Sequence, residues 1–150
     1  MSEEHDHRPG QKPERNSGYF EKLTQAVFQA GFSWKVVRSK WPNFQEAFAG
    51  FEIDRVASYD ERDVERLLAD EGIVRNARKI QATIENARIA QRLIAEHGSY
   101  HEYLRSLDGF PWQARRKALT KTFKHFGPTG VYFFLWSVGE EVPPWEERDK

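Results

Sequence analysis

The sequence predicts an all-α fold in a single domain, and three observations carry that prediction. Apolar residues recur at helical spacing through most of the chain, as in Phe20, Leu23, Val27 and Ala30, or Ile80, Ile84, Ala87, Ala90 and Ile94. Glycines and cap-type residues punctuate these runs where helices would start and stop. Alternating polar and apolar runs joined by hairpin turns are absent. With 150 residues, 39% hydrophobic content, eleven Phe, five Trp and five Tyr, the chain is long enough to bury a real core in one domain.

The elements follow in order. Residues 1–17 are polar, with Pro9, Pro13 and many charges, and read as a disordered tail that cannot bury enough apolar surface to fold alone. His5 and His7 lie in it, and solvated surface is a better reading of them than metal ligands. Tyr19 to Ala30 is the first helix. Gly31 ends it with a backbone that a Cβ would oppose, Ser33 caps the next helix, and Trp34 stands just inside its first turn. That second helix reaches about Lys40, with Pro42 stopping it or opening a further piece through Phe44, Ala47 and Phe48 that Gly50 ends. Asp54 reads as the cap of a short helix through Ala57, and Asp60 as the cap of Glu61 to Ala69, with Gly72 beyond its end. Ala77 to His97 is the longest periodic run and is basic along Arg75, Arg78, Lys79, Arg88 and Arg92; Gly98 closes it. Ser99 and Glu102 form a capping-box pattern for a helix to about Ser106. Gln113 to His125 is a basic amphipathic helix with Leu119 and Phe123 inward. A tight turn, Phe126-Gly127-Pro128-Thr129-Gly130, leads into an apolar helix, Val131 to Trp136. Residues 140–150 read as a loosely held tail, leaving 18–139 as the folded domain.

Charge adds a functional hint. The formal net charge is zero, yet no Asp or Glu occurs from Gly109 to Gly139, a stretch carrying Arg115, Arg116, Lys117, Lys121 and Lys124. A neutral chain arranged in this way still presents a basic face. Helix, tight glycine turn and apolar helix together make a C-terminal helix-hairpin-helix candidate. Unpaired backbone N–H groups at the start of the second helix, aided by the helix dipole, would hold a DNA phosphate. Lys121, Lys124, Gly127, Thr129 and Gly130 are the candidate DNA-binding residues; a plain helical hairpin is the alternative. Zero cysteines exclude disulfides and thiolate metal sites and fit a reducing cytoplasmic setting. No apolar run is long enough to span a bilayer, so no membrane partner is expected.

Three ordered motifs resemble the DNA-3-methyladenine glycosylase I family, within the helix-hairpin-helix glycosylases. They are Leu23 through Trp34, ending Phe-Gln-Ala-Gly-Phe-Ser-Trp; Asp63 through Leu68 with Gly72-Ile73-Val74-Arg75-Asn76 and Lys79-Ile80-Gln81-Ala82; and Phe123 through Thr129. The match runs from about Tyr19 to about Gly139. It implies a DNA repair hydrolase of base excision repair that breaks the N-glycosidic bond of a flipped alkylated purine such as 3-methyladenine in double-stranded DNA. Trp34 would stack on that base, with Gln29 and Tyr19 as polar groups near it in sequence. The resemblance places a pocket glutamate at the position of Ala26, and a glycine at Val27; both differ here. His125 replaces the usual first hairpin glycine. Family members commonly close a zinc site with cysteines and histidines from both ends of the chain. None of those cysteines exists here, and the histidine position falls near Pro144, so no zinc and no cofactor are expected. The expected form is a monomer. The alternative is a non-catalytic DNA-binding relative that kept the hairpin and lost the pocket carboxylate; a helical scaffold with no nucleic-acid role stands behind both.

Overall fold

A computed structural model describes residues 10–150 of the protein. Helix α1, Asn16–Gln29, buries Tyr19, Phe20, Leu23, Thr24, Ala26, Val27 and Phe28, a face broad enough to meet neighbours on several sides. It packs on α2 (Trp34–Ala47), α5 (Ala77–His97), α6 (Tyr100–Arg105) and α8 (Pro128–Ser137). The long α5 in turn supports α3 (Ile53–Ala57), α4 (Glu61–Leu68) and α6, while α7 (Trp112–Thr122) packs on α8. The described residues contain helices and no strand, so the predicted all-α class holds.

Two aromatic clusters flank α1. On one side Trp41 stacks on Phe44 at 4.8 Å and on Phe51 at 5.3 Å, and Phe28 meets Phe44 edge-on at 4.8 Å. On the other, Tyr19 stacks on Tyr100 at 5.3 Å, Tyr100 lies parallel to Phe123 at 6.0 Å, and Phe126 meets Phe134 at 5.8 Å. Offset and edge-on pairs of this kind add stability beyond the area they bury. The first cluster explains why Phe51, fully buried, accepts a left-handed backbone: Ala49, Gly50 and Phe51 have φ of 55, 65 and 60° in succession. Left-handed residues with a Cβ are disfavoured by about 1–2 kcal/mol each, so Ala49 and Phe51 together cost about 2–4 kcal/mol, which burial of the several rings of this cluster at about 1.5–3 kcal/mol apiece offsets.

Several boundaries differ from the sequence reading. Helix α2 runs unbroken through Pro42, which neither stops it nor opens a new helix. The proline withholds one hydrogen bond from the carbonyl of Arg38, an exposed residue that solvent reaches, and Trp41 and Phe44 on either side are locked in the aromatic stack. Ser33 occupies the cap position of α2 but its side chain makes no capping bond. Glu52, not Asp54, stands at the cap of α3; Asp54 lies in the first turn and accepts a hydrogen bond from Gln91 at 2.9 Å. Asp60 caps α4 as expected, accepting from the Arg62 and Asp63 amides, while Asp63 returns the bond to the Asp60 amide. Asn76 caps α5 by accepting from the Lys79 amide at 3.0 Å. Helix α7 ends at Thr122, since Phe123 is extended and His125 turns left-handed at φ 54°.

Both expected tails are partly built into the fold. Residues 1–9, with His5 and His7, lie outside the described residues. The Gly10 amide donates to the Trp136 carbonyl at 2.9 Å, and Asn16 and Ser17 already belong to α1. At the other end, Glu140 pairs with Arg105. Tyr132 donates to the Pro143 carbonyl at 2.9 Å, Trp112 donates to the Arg148 carbonyl at 3.0 Å, and Trp145 packs edge-on to Tyr132 at 5.2 Å. Residues 140–148 are therefore held along α6, α7 and α8 by an ion pair, aromatic contacts and hydrogen bonds. None of the described helices is long and apolar enough to cross a membrane.

Candidate nucleic-acid interface

Helices α1 and α8 run antiparallel. The chain just before α1 touches the end of α8, through Gly10 and Trp136. Near the other end, a Cβ added to Gly130 would stand 3.9 Å from the Ala26 carbonyl oxygen. The corner after α1, carrying Gln29, Gly31 and Trp34, therefore lies at the same end of the pair as the turn that opens α8.

Both features are fastened to α5 by buried polar side chains. Lys79 is 6% exposed; its Nζ donates to the Phe28 carbonyl at 3.2 Å and to the Ala30 carbonyl. Phe28 lies in the last turn of α1 and Ala30 at its C-cap, where carbonyls have no partner within the helix and a cation is favoured at the negative dipole end. The same ammonium sits 4.7 Å from the centre of the Phe32 ring. Burial pushes the Lys79 ammonium below the ordinary lysine pKa. Among the basic residues of this run, Lys79 is the one fastened to the end of α1. Two turns further along α5, about 10 Å by the helical rise, Asn86 is fully buried. Its amide donates to the Lys124 carbonyl at 3.1 Å and accepts from the Lys124 amide at 2.7 Å. One side chain thus satisfies both backbone groups of the residue that leads into the α8 turn. Sequence reasoning missed Asn86: a lone Asn within a helical run carries no signal of a partner 38 residues away.

In the turn itself, His125 adopts φ 54°, a left-handed backbone form that favours glycine. Gly127 is exposed at the cap position of α8, Pro128 fills the first helical position, and no side chain caps the helix. The Thr129 and Gly130 amides lie in that uncapped first turn. A Cβ on Gly127 would meet nothing within 4 Å, and its φ of −84° suits any residue. Packing within the fold therefore does not require a glycine at this position. Gly130 differs, since a Cβ there would crowd the Phe126 ring at 3.2 Å. Lys121 and Lys124 are exposed beside the turn.

The basic helix divides into two parts. Arg115 donates to the Glu141 carbonyl at 3.2 Å and Arg116 to the Arg148 carbonyl at 2.7 Å, so these two hold the C-terminal segment. Lys117, Lys121 and Lys124 face solvent.

Trp34 is half-buried against the core, and Gln29 is half-buried in the last turn of α1. Phe32, between them, is 44% exposed. Ala26 is 3% exposed in the seam between α1 and α8, and it offers no acid–base group. Tyr19 does not join this group. It lies ten residues before Gln29 on α1, roughly 15 Å away by the helical rise, with its ring on Tyr100 and its hydroxyl 3.2 Å from His101 Nδ1. Burial, with the Glu140 carboxylate nearby, raises the Tyr19 phenol above its ordinary pKa. Helical geometry sets this correction: Tyr19 is near Trp34 in sequence, while α1 carries it toward the other end of the rod. Among the described residues no three His, Cys, Asp or Glu side chains converge, and the chain has no cysteine.

The same all-helical arrangement occurs in solved DNA-base glycosylases, and this is the class of protein the fold defines. A crystal structure of 3-methyladenine DNA glycosylase I superposes with a TM-score of 0.77 at 33% identity, covering 91% of this chain and 86% of that one. A structure on 3-methyladenine recognition by the enzyme from Staphylococcus aureus gives 0.79 at 28% identity, covering 91% and 83%. DNA-3-methyladenine glycosylase 1 of Escherichia coli is 42% identical over 154 aligned residues, 90% of this chain and 82% of that protein. Residues 1–121 match the methyladenine glycosylase family, and the chain belongs to it.

Proposed function

We propose that this protein is a DNA repair glycosylase that grips duplex DNA at the α7–α8 turn and releases a cationic alkylated purine, 3-methyladenine being the type substrate, from a nucleotide flipped against Trp34. The observation that carries this reading is the common placement of the Trp34 corner and the uncapped α8 turn at one end of the α1–α8 pair, each tied to α5 by a buried side chain. The Thr129 and Gly130 amides bind a phosphate, and Lys121 and Lys124 hold neighbouring phosphates without reading sequence. A flipped base stacks on Trp34, and its positive charge is attracted to the indole face. Gln29 hydrogen-bonds the base edge.

The chemistry asks little of a general acid. When the bond from C1′ to the alkylated base breaks, its electron pair neutralises the cationic ring, which leaves as a neutral base. Water then adds to C1′ and gives its proton to solvent. Stacking on Trp34 and exclusion of the base from the duplex do the work that remains to the protein.

A second reading, a DNA-binding relative without catalysis, is favoured by one observation: the family's carboxylate position is the buried Ala26. Base release from alkylated duplex, measured beside DNA binding, separates the two. Released 3-methyladenine supports the enzyme. Tight binding without release supports the second reading. Binding that is unaltered in a Lys121→Glu, Lys124→Glu double variant overturns the DNA-binding role of the turn.

A further inference from the structure

The cations beside the α8 turn are continued along α5 by others that meet no carboxylate. A groove of about 480 Å³ runs between α5 and the end of α7, lined by Glu85, Arg88 and Arg92 on one wall and by Lys121 and Lys124 on the other. Arg88 and Arg92 are four residues apart and share a helix face. Arg88 is fixed in place, its Nε donating to the Ala57 carbonyl at 2.9 Å and Nη2 to the Tyr59 carbonyl at 3.0 Å, so its charge meets no carboxylate. Among the described residues Arg92, Lys121 and Lys124 join no ion pair. Four cations thus line this polar groove beside one carboxylate, Glu85. Small-molecule clefts are mostly apolar; this one is walled by charge, and charge left uncompensated inside the fold points to an anion outside it. The Asn86 clamp joins the two walls, since it bonds Lys124 from α5 between Glu85 and Arg88. Lys124 also begins the turn, three residues before the exposed Gly127.

We propose that this α5–α7 groove is a second binding track for the phosphodiester backbone, continuing the DNA path away from the α8 turn, with Arg92 as its own contact. The proposal rests on the DNA-binding reading above and adds residues of α5 to it. Each cation seated on a phosphate releases condensed counterions and steepens the salt dependence of binding by about 0.9 in the logarithmic slope.

The test is salt-dependent binding of wild type and Arg92→Gln to two alkylated duplexes, one long and one cut to a few base pairs around the lesion. Arg92 is exposed, so the substitution leaves the core intact. Lys12→Gln, at the opposite end of the α1–α8 pair beside Gly139, is the charge-matched control. The expected result is a slope reduced by about 0.9 on the long duplex only, with no change on the short one and none in the control. An unchanged slope on both duplexes overturns the groove while leaving the turn in place, and so does an equal change in the control. Saturation of the groove by inorganic phosphate, with duplex binding undisturbed, makes it a free-anion site and also overturns the proposal. A wild type that binds no duplex removes this inference together with the functional reading it rests on.

Discussion

Asn86 offers the sharpest test of how the interface is held. Its side chain makes two hydrogen bonds to Lys124, at 3.1 and 2.7 Å, from a fully buried position. Asn86→Ala removes both. Each bond is worth about 1 kcal/mol net, and a stranded buried backbone group is penalised by about 1–3 kcal/mol. Lys124 is itself exposed, so water relieves part of that penalty. The expected loss is about 2–4 kcal/mol, including the small cavity left behind. For a chain of this length that corresponds to a fall in Tm of roughly 6–12 °C. Denaturant unfolding measures the loss directly, and Asn86→Leu separates lost bonds from lost volume. Asn86→Asp adds a pH signature. Its carboxyl replaces a donor facing the Lys124 carbonyl, so protonation, which restores an O–H donor, is favoured in the fold and the folded pKa is raised above the unfolded one. That variant should therefore be most stable at pH below the ordinary carboxylate range and lose stability as pH rises through the folded pKa. Unfolding of Asn86→Ala within about 1 kcal/mol of wild type, with unchanged DNA affinity, would refute the clamp as the anchor of the turn.

Three further outcomes follow from the same structure. Trp34→Ala should reduce base release more than duplex affinity, through loss of roughly 1–3 kcal/mol of stacking, whereas Trp34→Phe keeps an aromatic face and most of the rate; single-turnover release with a parallel unfolding curve checks this, and equal rates in all three proteins place Trp34 in the core alone. Ala26→Glu puts a carboxylate into the α1–α8 seam beside Gly130, so it should lower stability by more than about 1 kcal/mol and raise base release only if the carboxylate reaches the flipped base; denaturation and release assays on the same preparation read both. Asp63 has its pKa lowered first by the Asp60 amide bond and also by Arg66, 3.2 Å away. Its contribution is present above the unfolded carboxylate pKa and disappears as pH falls through the lower folded value; Asp63→Asn should cost under about 1 kcal/mol at neutral pH, and the difference from wild type should vanish in acid, as followed by thermal unfolding.

The sequence by itself determined the helical class, most of the helices and the residues worth watching. Those signals are local: a period of apolar side chains, the Asp60 cap and the Gly31 turn act within a few residues. The ordered motifs were enough to suggest the family that the comparisons show. Local signals misled where long-range packing outweighed propensity. Pro42 sits inside α2 because Trp41 and Phe44 are pinned by Phe51 and Phe28. The C-terminal segment, polar in composition, is held because Arg115, Arg116, Trp112 and Tyr132 reach its carbonyls. The site depended on tertiary structure most of all. Tyr19 and Trp34 belong to one continuous stretch of sequence and are separated by the length of α1. Lys79 and Asn86, which look like ordinary helix residues, meet partners 49 and 38 positions away. A buried hydrogen bond of that reach leaves no periodic trace in the chain; it exists only once α1, α5 and the α7–α8 turn have packed, because packing alone removes the water that would otherwise serve the same donors and acceptors.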